Sequence, residues 1–273
     1  NISYQEILLR IQRKTLNMTM INELRQDCED WISDLTEVMR NEREMQVRLA
    51  VYLKEKGHYD NVHVEYPVPL QVLKKFYPNV GKQNEFPWQN DIYVDIVVEK
   101  DGQFVAVELK YATRAISVQP GVFYQLVPAN IKIIKNQEAS NITMYNYWKD
   151  VHRIEALTHI PKVIGGVAII LTNNKLYWEK PKHNPAYSNF STAEGRTVKE
   201  KMTWNTKNNG EDVSKEISGG HPNFQIDGSY ECHWDDTKIT VKDAQGNSLE
   251  KKSPDWFRYM ITEVKASKGR NND

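Results

Sequence analysis

The chain has 273 residues, of which 40% are hydrophobic and 26% are charged, and its 36 Lys and Arg residues balance 36 Asp and Glu residues. These values are typical of a folded globular protein and exclude a disordered or fibrous chain. Because the formal net charge is zero, contact with nucleic-acid phosphates would require a local basic surface.

Several features bear on compartment and cofactors. The two cysteines show no CxxC spacing, which excludes a disulfide framework and a zinc site of that type. The longest apolar run, residues 163–171, is too short to span a membrane, and the first residues lack a secretory signal pattern. No GxxxxGKS/T or GxGxxG motif argues for a nucleotide cofactor. We therefore expect a cytoplasmic protein with no membrane partner.

Hydrophobic spacing predicts the elements of the first half of the chain. Apolar residues at helical spacing indicate three helices within residues 4–57, the last ending at Gly57. Alternating runs then predict strands at residues 62–68, 93–98 and 104–110. A loop rich in Pro, Asn and Gly is expected between Phe76 and Asn90.

The second half begins with a helix and then turns β-rich. The helix is predicted by an apolar stripe that comprises Met144, Trp148, Val151, Ile154 and Leu157. Strands are expected at residues 163–172, 176–178, 224–234, 238–242 and 256–264. The sequence thus predicts an α/β (α+β) protein with an N-terminal helical segment (1–32), a core (33–180) and a β-rich C-terminal extension (181–273) packed on the core.

The most informative segment is a predicted hairpin. Asp101-Gly102 lies between two alternating apolar runs, which indicates a two-residue turn with Lys100 facing Gln103. Continued along the strands, this register places Asp95 across from Glu108. One face of the hairpin then carries Asp95, Glu108 and Lys110. The opposite, continuous apolar face comprises Val94, Ile96, Val98, Val105, Val107 and Leu109.

Two carboxylates facing each other across strands repel unless a cation lies between them. Mg²⁺, with Mn²⁺ as a substitute, prefers such oxygen ligands and leaves positions for water and substrate phosphate. Lys110 could orient or help deprotonate a bound water, or offset the charge that develops at phosphorus. The alternative is a half-exposed hairpin whose outer face carries a surface cluster neutralised by Lys110.

Asp95 followed by Glu108-Leu109-Lys110, after a helix that contains acids, resembles the PD-(D/E)XK nuclease superfamily. Residues 41–46, 145–155 and 171–178 look like segments of uncharacterised bacterial members. The resemblance implies a restriction-endonuclease-like mixed β-sheet flanked by helices. It also implies that Asp95, Glu108 and the Leu109 backbone carbonyl bind the metal and that Lys110 is the catalytic lysine. Val94 stands where the family's first motif has Pro, and this difference matters little because that Pro supplies no metal ligand.

The same superfamily usually adds an acid from the preceding helix, and two candidates are present. Glu42 shares a helix face with Gln46, whereas Glu44 shares one with Arg48, where a surface ion pair is the simpler explanation. We therefore favour Glu42, with a solvated helical acid beside Arg43 as the alternative.

Other polar residues are expected to contact DNA or to support the fold. Gln46, Arg114 and Gln125 are candidate nucleic-acid contacts. Asp150, Arg153 and Glu155 are interpreted as an ion-pair network that orients the long helix.

The leading hypothesis is a Mg²⁺-dependent endonuclease-like hydrolase of DNA phosphodiester bonds, which could act as a homodimer. The alternative is a non-catalytic member of the nuclease fold that binds nucleic acid or protein. A third reading, a pure interaction protein, would bind neither metal nor DNA.

Overall fold

The computed structural model describes residues 4–77, 88, 90–117, 132–136, 139–205, 207–208, 211–212, 221–242 and 247–266. Within these residues the helices are α1 (Tyr4–Ser33), α2 (Glu42–Lys56), α3 (Leu70–Phe76) and α4 (Ser140–Leu157). The strands are β1 (Asn61–Val68), β2 (Ile92–Lys100), β3 (Gln103–Ala112), β4 (Ile116–Ser117), β5 (Lys132–Ile134), β6 (Val163–Thr172), β7 (Thr197–Met202), β8 (Lys207–Asn208), β9 (Glu211–Asp212), β10 (Phe224–Glu231), β11 (Asp235–Asp236) and β12 (Arg258–Lys265).

A six-stranded mixed sheet forms the centre of the described fold, in the order β1-β2-β3-β6-β12-β11. Its neighbours are antiparallel except for β3 and β6, which run parallel and are connected through α4. Helices α1 and α2 pack in the hydrophobic cluster on one face of the sheet, and α3 and α4 pack in the cluster on the other. The coarse α/β prediction is therefore confirmed. Among the described helices, none combines the length and apolar character needed to cross a membrane.

The N-terminal helices differ from the prediction. Instead of three helices before Gly57 there are two, because α1 continues without a break to Ser33. No Gly or Pro interrupts that stretch, so spacing alone suggests a boundary where none exists. Helix α2 begins after a side-chain cap at Asn41 and ends at Gly57, as the sequence predicts for its C-terminus. The Asn41 side chain accepts a hydrogen bond from the Glu44 N–H, and Gly57 adopts a φ of 74° at the C-cap.

The hairpin register is confirmed over most of its length. Lys100 pairs with Gln103, and the ladder continues to the pair of Ile96 and Val107, one step short of Asp95 and Glu108. The predicted apolar face is wrong at Val94, which belongs to the α4 cluster while Ile96 belongs to the α1 and α2 cluster. Strict alternation therefore breaks between Val94 and Ile96, at Asp95.

The later elements are partly as predicted. Strand β6 has the predicted bounds, and β12 pairs with it along its whole length, so the C-terminal region contributes to the main sheet. The strand expected at residues 176–178 is instead a 3₁₀ turn, Lys175–Tyr177, which is capped by the Asn174 side chain. Residues 238–242 form no strand, and their ladder contact is a single bridge from Lys242 to Ser248.

The structure describes a helix before the predicted loop between Phe76 and Asn90 and one buried residue within it. The loop is preceded by α3, a short helix that the spacing does not indicate. Most of the loop lies outside the described residues. Trp88, which is described, is buried and stacks on His152 of α4 with ring centroids 5.1 Å apart.

Helix α4 approaches the sheet closely because Gly166 in β6 has no side chain. A Cβ at this position would meet the Ala106 carbonyl oxygen of β3 and would lie 2.7 Å from Ile154 Cγ2 of α4. Both neighbours are buried in the main sheet and its covering helix, so neither can move freely. Gly166 therefore sets the distance at which α4 presents its polar residues to β3.

We expect Gly166→Ala to reduce the free energy of unfolding by about 2–3 kcal/mol, because the added methyl overpacks a rigid contact. Gly195→Ala is the control, since Gly195 has a φ of 70° and a methyl group there would meet nothing within 4 Å. The control should lose only about 1 kcal/mol, from backbone strain. Urea unfolding measures both, and equal losses would contradict the close-approach argument.

Candidate active site

Asp95 lies where β2 loses its regular pairing with both neighbouring strands. The ladder with β3 ends at Ile96, and the ladder with β1 is interrupted opposite Asp95, where Glu65 has a φ of 50°. A positive φ strains a residue other than Gly, and such strain concentrates at functional sites. Asp95 Oδ2 accepts a hydrogen bond from the Leu109 N–H at 2.7 Å. Its Oδ1 has no hydrogen bond to any described residue.

Glu108, on β3, is only 1% exposed and is held by α4. Arg153 Nη1 donates hydrogen bonds to both Glu108 oxygens, at 2.9 Å each. Arg153 Nη2 lies 3.1 Å from Asp150 Oδ1, one turn earlier on the same helix. Because an unpaired buried carboxylate is strongly destabilising, the guanidinium allows Glu108 to occupy this position.

Lys110 projects toward the same helix. Its Nζ lies 2.7 Å from Asp150 Oδ2 and donates a hydrogen bond to the Leu109 carbonyl oxygen at 3.0 Å. Asp150 is 3% exposed, and its two oxygens receive Lys110 and Arg153 respectively. Asp150 therefore fixes both cations relative to the hairpin.

Glu42, the first residue of α2, reaches the same place from another element. Its Oε2 accepts a hydrogen bond from the Tyr111 N–H at 2.9 Å. Its Oε1 has no hydrogen bond within the described part of the chain. The charge of Glu42 acts on both Asp95 and Lys110, so α2 contributes an acid to the group.

Glu44 lies elsewhere on α2. Its carboxylate forms ion pairs with Arg40 at 3.4 Å and with Arg48 at 3.7 Å. The predicted surface ion pair with Arg48 is therefore present. Of the two helix acids, Glu42 is the one that neighbours the hairpin acids.

Two of the three candidate DNA contacts lie among the described residues. Gln46 is 3% exposed, and its Nε2 donates hydrogen bonds to the Asp95 carbonyl oxygen at 2.8 Å and to Glu65 Oε1 at 2.9 Å. Arg114 is exposed just beyond β3, where the Asn173 side chain accepts from its N–H at 2.7 Å. Gln125 lies outside the described residues. Gln46 thus holds the irregular backbone at Asp95, whereas Arg114 faces solvent.

Asp95 and Glu108 resist ionisation, since the pKa of each is raised. Burial raises the pKa of Asp95 to about 6, with Lys110 opposing the rise and Asp150 adding to it. Burial also raises the pKa of Glu108 well above its usual range, although the charge of Arg153 opposes this. The raised pKa values of these two carboxylates therefore come first from burial, which disfavours the charged form, and only then from the neighbouring acids.

The two cations remain charged. Burial opposes the charge on Lys110, but the negative charges of Asp150 and Glu42 outweigh it and hold the pKa of Lys110 above its usual value. The pKa of Arg153 is raised in the same way, by Glu108 above all. We call the whole group the site cluster. It consists of four acids, Glu42, Asp95, Glu108 and Asp150, and two bases, Lys110 and Arg153.

The open oxygens of the site cluster are of the type that hard divalent cations bind. Asp95 Oδ1 and Glu42 Oε1 are open, whereas the Glu108 oxygens accept from Arg153 and the Leu109 carbonyl accepts from Lys110. In the described residues, no three His, Cys, Asp or Glu side chains stand ready as a metal site. The donor chemistry and the excess of two acids fit a divalent cation, provided that Glu108 exchanges its partner.

Sequence reasoning assigns Asp150 and Arg153 to a helix-orienting network and not to the site. They do form an ion pair, but they also bind Lys110 and Glu108, which only the tertiary structure could reveal. The one available signal is that both are charged residues beside the buried stripe of α4. Glu155 does not join them. It accepts instead from N–H groups of residues 227 and 228 and from the Tyr230 hydroxyl.

No protein-family model matches this chain, and no curated protein or solved structure matches it. The resemblance to PD-(D/E)XK nucleases therefore stays a prediction. It rests on the hairpin residues and on the acid of the preceding helix.

Ionised Asp95 should destabilise the metal-free protein. Its pKa is about 6 in the folded state against 3.8 for an unperturbed Asp, so folding favours the protonated form, and this contribution is lost as pH rises from about 4 through 6. We expect Asp95→Asn to raise the free energy of unfolding by about 2–3 kcal/mol at pH 8 and to have little effect at pH 4.

Urea unfolding in EDTA, followed by tryptophan fluorescence, measures this difference at the two pH values. Asp34→Asn is a suitable control, because the Asp34 side chain is 71% exposed and should give no gain at either pH. Lower stability of Asp95→Asn at pH 8 would contradict the argument.

Proposed function

We propose that this protein hydrolyses phosphodiester bonds of DNA in a metal-dependent reaction, on a restriction-endonuclease-like core. The observation that carries the proposal is the convergence of Asp95, Glu108 and Lys110 with Glu42 at the end of one hairpin ladder. Strands β2 and β3, the parallel strand β6 and the helices on both faces agree with the mixed, helix-flanked sheet that the resemblance implies.

Asp95 and Glu42 are the first ligands in this proposal, because each keeps an open carboxylate oxygen. Glu108 and the Leu109 carbonyl would complete the ligand set. Mg²⁺, for which Mn²⁺ could substitute, would supply an activated water and neutralise the scissile phosphate when bound. Gln46 supports the ligands by fixing the Asp95 backbone through its carbonyl oxygen.

Lys110 acts as a cation in this scheme. Its raised pKa keeps Nζ protonated near neutral pH, so it does not remove a proton from water. Held by Asp150 and by the Leu109 carbonyl, Nζ can instead donate to a substrate oxygen and offset the charge that develops at phosphorus. Of the roles that the sequence leaves open for Lys110, charge stabilisation is the one that this environment favours.

DNA binding would use exposed cations beside the site cluster. Arg114 lies two residues beyond the end of β3 and is exposed, and in this proposal its guanidinium would contact a phosphate without reading sequence. A contact from Gln125 and a homodimer able to cut both strands remain part of the proposal, whereas Gln46 is too deeply buried to contact DNA and serves to hold the Asp95 backbone.

The first test is cleavage of linear, supercoiled, single-stranded and branched DNA with Mg²⁺ or Mn²⁺. We expect the wild-type protein to cut at least one substrate, and Asp95→Asn and Lys110→Met to lower the rate by about 10²–10³-fold. Asp95→Asn removes an anionic metal ligand, and Lys110→Met removes the cation that would offset the charge at the reacting phosphate. Far-UV circular dichroism verifies that both variants fold. Full activity in either folded variant would contradict the proposal. Binding of DNA by the wild-type protein without cleavage in either metal would instead favour the non-catalytic alternative.

The two acids of α2 provide a matched pair. We expect Glu42→Gln to lower the rate of the same cleavage reaction by about 10-fold or more, because it removes an open ligand oxygen from the site cluster. Glu44→Gln changes the same charge two residues away but affects only the surface arginines, so its rate should stay near that of the wild-type protein. Equal effects of the two substitutions would remove Glu42 from the site.

A further inference from the structure

The contact between Glu108 and Arg153 occupies both carboxylate oxygens of a proposed metal ligand, an arrangement that we call the closed state of the site. We propose that Arg153 and a divalent cation bind Glu108 alternately, so that the guanidinium is a built-in counter-ion that the metal displaces. This inference rests on the proposed function, in which Glu108 is a metal ligand.

The geometry makes the two partners mutually exclusive. Arg153 Nη1 is equidistant from both Glu108 oxygens, at 2.9 Å, and so lies on the open side of the carboxylate between them. Glu108 is 1% exposed, which leaves no second approach from solvent. A Mg²⁺ ion bound at about 2.1 Å from either oxygen on that side would collide with Nη1. The guanidinium must therefore move before Glu108 can act as a ligand.

Asp150 gives Arg153 an anchor for this movement. Arg153 Nη2 lies 3.1 Å from Asp150 Oδ1, so the guanidinium can turn away from Glu108 and keep one carboxylate partner. Lys110 Nζ lies 2.7 Å from the other oxygen of Asp150 and so keeps the Asp150 carboxylate in place when the guanidinium turns. A side chain with two acidic partners can exchange one of them at low cost, because its charge is never unpaired.

A second observation is that the contact with Glu108 leaves one nitrogen of the Arg153 guanidinium without a hydrogen-bond acceptor among the described residues. Arg153 Nε is buried and donates to no residue in the described part of the chain. A buried donor without a partner is destabilising, so the closed position does not satisfy the whole guanidinium. In charge, the site cluster holds two more acids than bases, and exchanging one guanidinium contact for a divalent ion reduces that excess.

The test measures metal binding without DNA. Isothermal titration of Mn²⁺ compares the wild-type protein with Arg153→Met, which we expect to bind at least about 10-fold more tightly because the competitor is gone. Lys149→Met is the matched control. This substitution removes one positive charge from the same helix, one turn earlier, at a half-buried lysine that forms no ion pair with the described carboxylates. We therefore expect the Mn²⁺ affinity of Lys149→Met to differ from that of the wild-type protein by less than about 3-fold.

Thermal unfolding separates competition from a merely structural role. In EDTA, Arg153→Met should melt below the wild-type protein, since Glu108 is left without a partner, and saturating Mn²⁺ should restore most of that loss. A purely structural arginine would give the same loss in EDTA with no gain in affinity and no recovery. Unchanged or weaker Mn²⁺ binding in Arg153→Met, or no binding by either protein, would overturn the inference.

If Arg153→Met does not fold, the wild-type protein carries the test. The Arg153 guanidinium hydrogens, assigned by their loss in Arg153→Lys, should be protected from solvent exchange in EDTA and lose that protection with saturating Mg²⁺. Protection that persists would overturn the inference. Metal exchange without DNA cleavage would overturn the proposed function alone, and cleavage without exchange would overturn only the role of Arg153.

Discussion

The pairing of Glu108 with Arg153 is the contact on which the arrangement of the core depends. A carboxylate in the interior of a sheet requires a cation, and helix α4, which packs on that face, brings it. Helix α4 can do so because Gly166 lets it approach β6, which lies beside β3. The close contact of helix and sheet is therefore what brings Arg153 within reach of Glu108, beside the parallel pair of β3 and β6.

The same pairing shows what local sequence can and cannot predict. The Asp101-Gly102 turn determines the hairpin register from two residues, because turn geometry is local. Helical spacing, which is also local, distinguishes the two acids of α2. Val94 is assigned to the wrong face because the pleat breaks at Asp95, and that break comes from residues 46 and 65 in other elements. Asp150 and Arg153 can be recognised only once α4 is packed on the sheet.

The site cluster is built against stability. Burial raises the pKa of Asp95 and of Glu108, Glu65 holds a strained conformation opposite Asp95, and two backbone ladders are interrupted at the same point. Evenly continued ladders and an apolar pair in place of Asp95 and Glu108 would satisfy the fold better. Strain and unneutralised charge at one place, with regular packing around it, are the pattern expected where selection acts on chemistry as well as on folding.

The pairing of β12 with β6 has a consequence for how the chain folds. β6 is almost entirely apolar and buried, and one of its two edges is covered by a strand from the far C-terminal part of the sequence. Until residues 258–265 arrive, that edge exposes unpaired backbone groups beside Val, Ile and Leu side chains, which is a template for pairing with other chains. Helix α1, which packs against both strands, cannot dock fully before then. The middle of the sheet therefore depends on contacts between residues far apart in the sequence, and we expect it to form slowly while that edge is open to pairing with other chains.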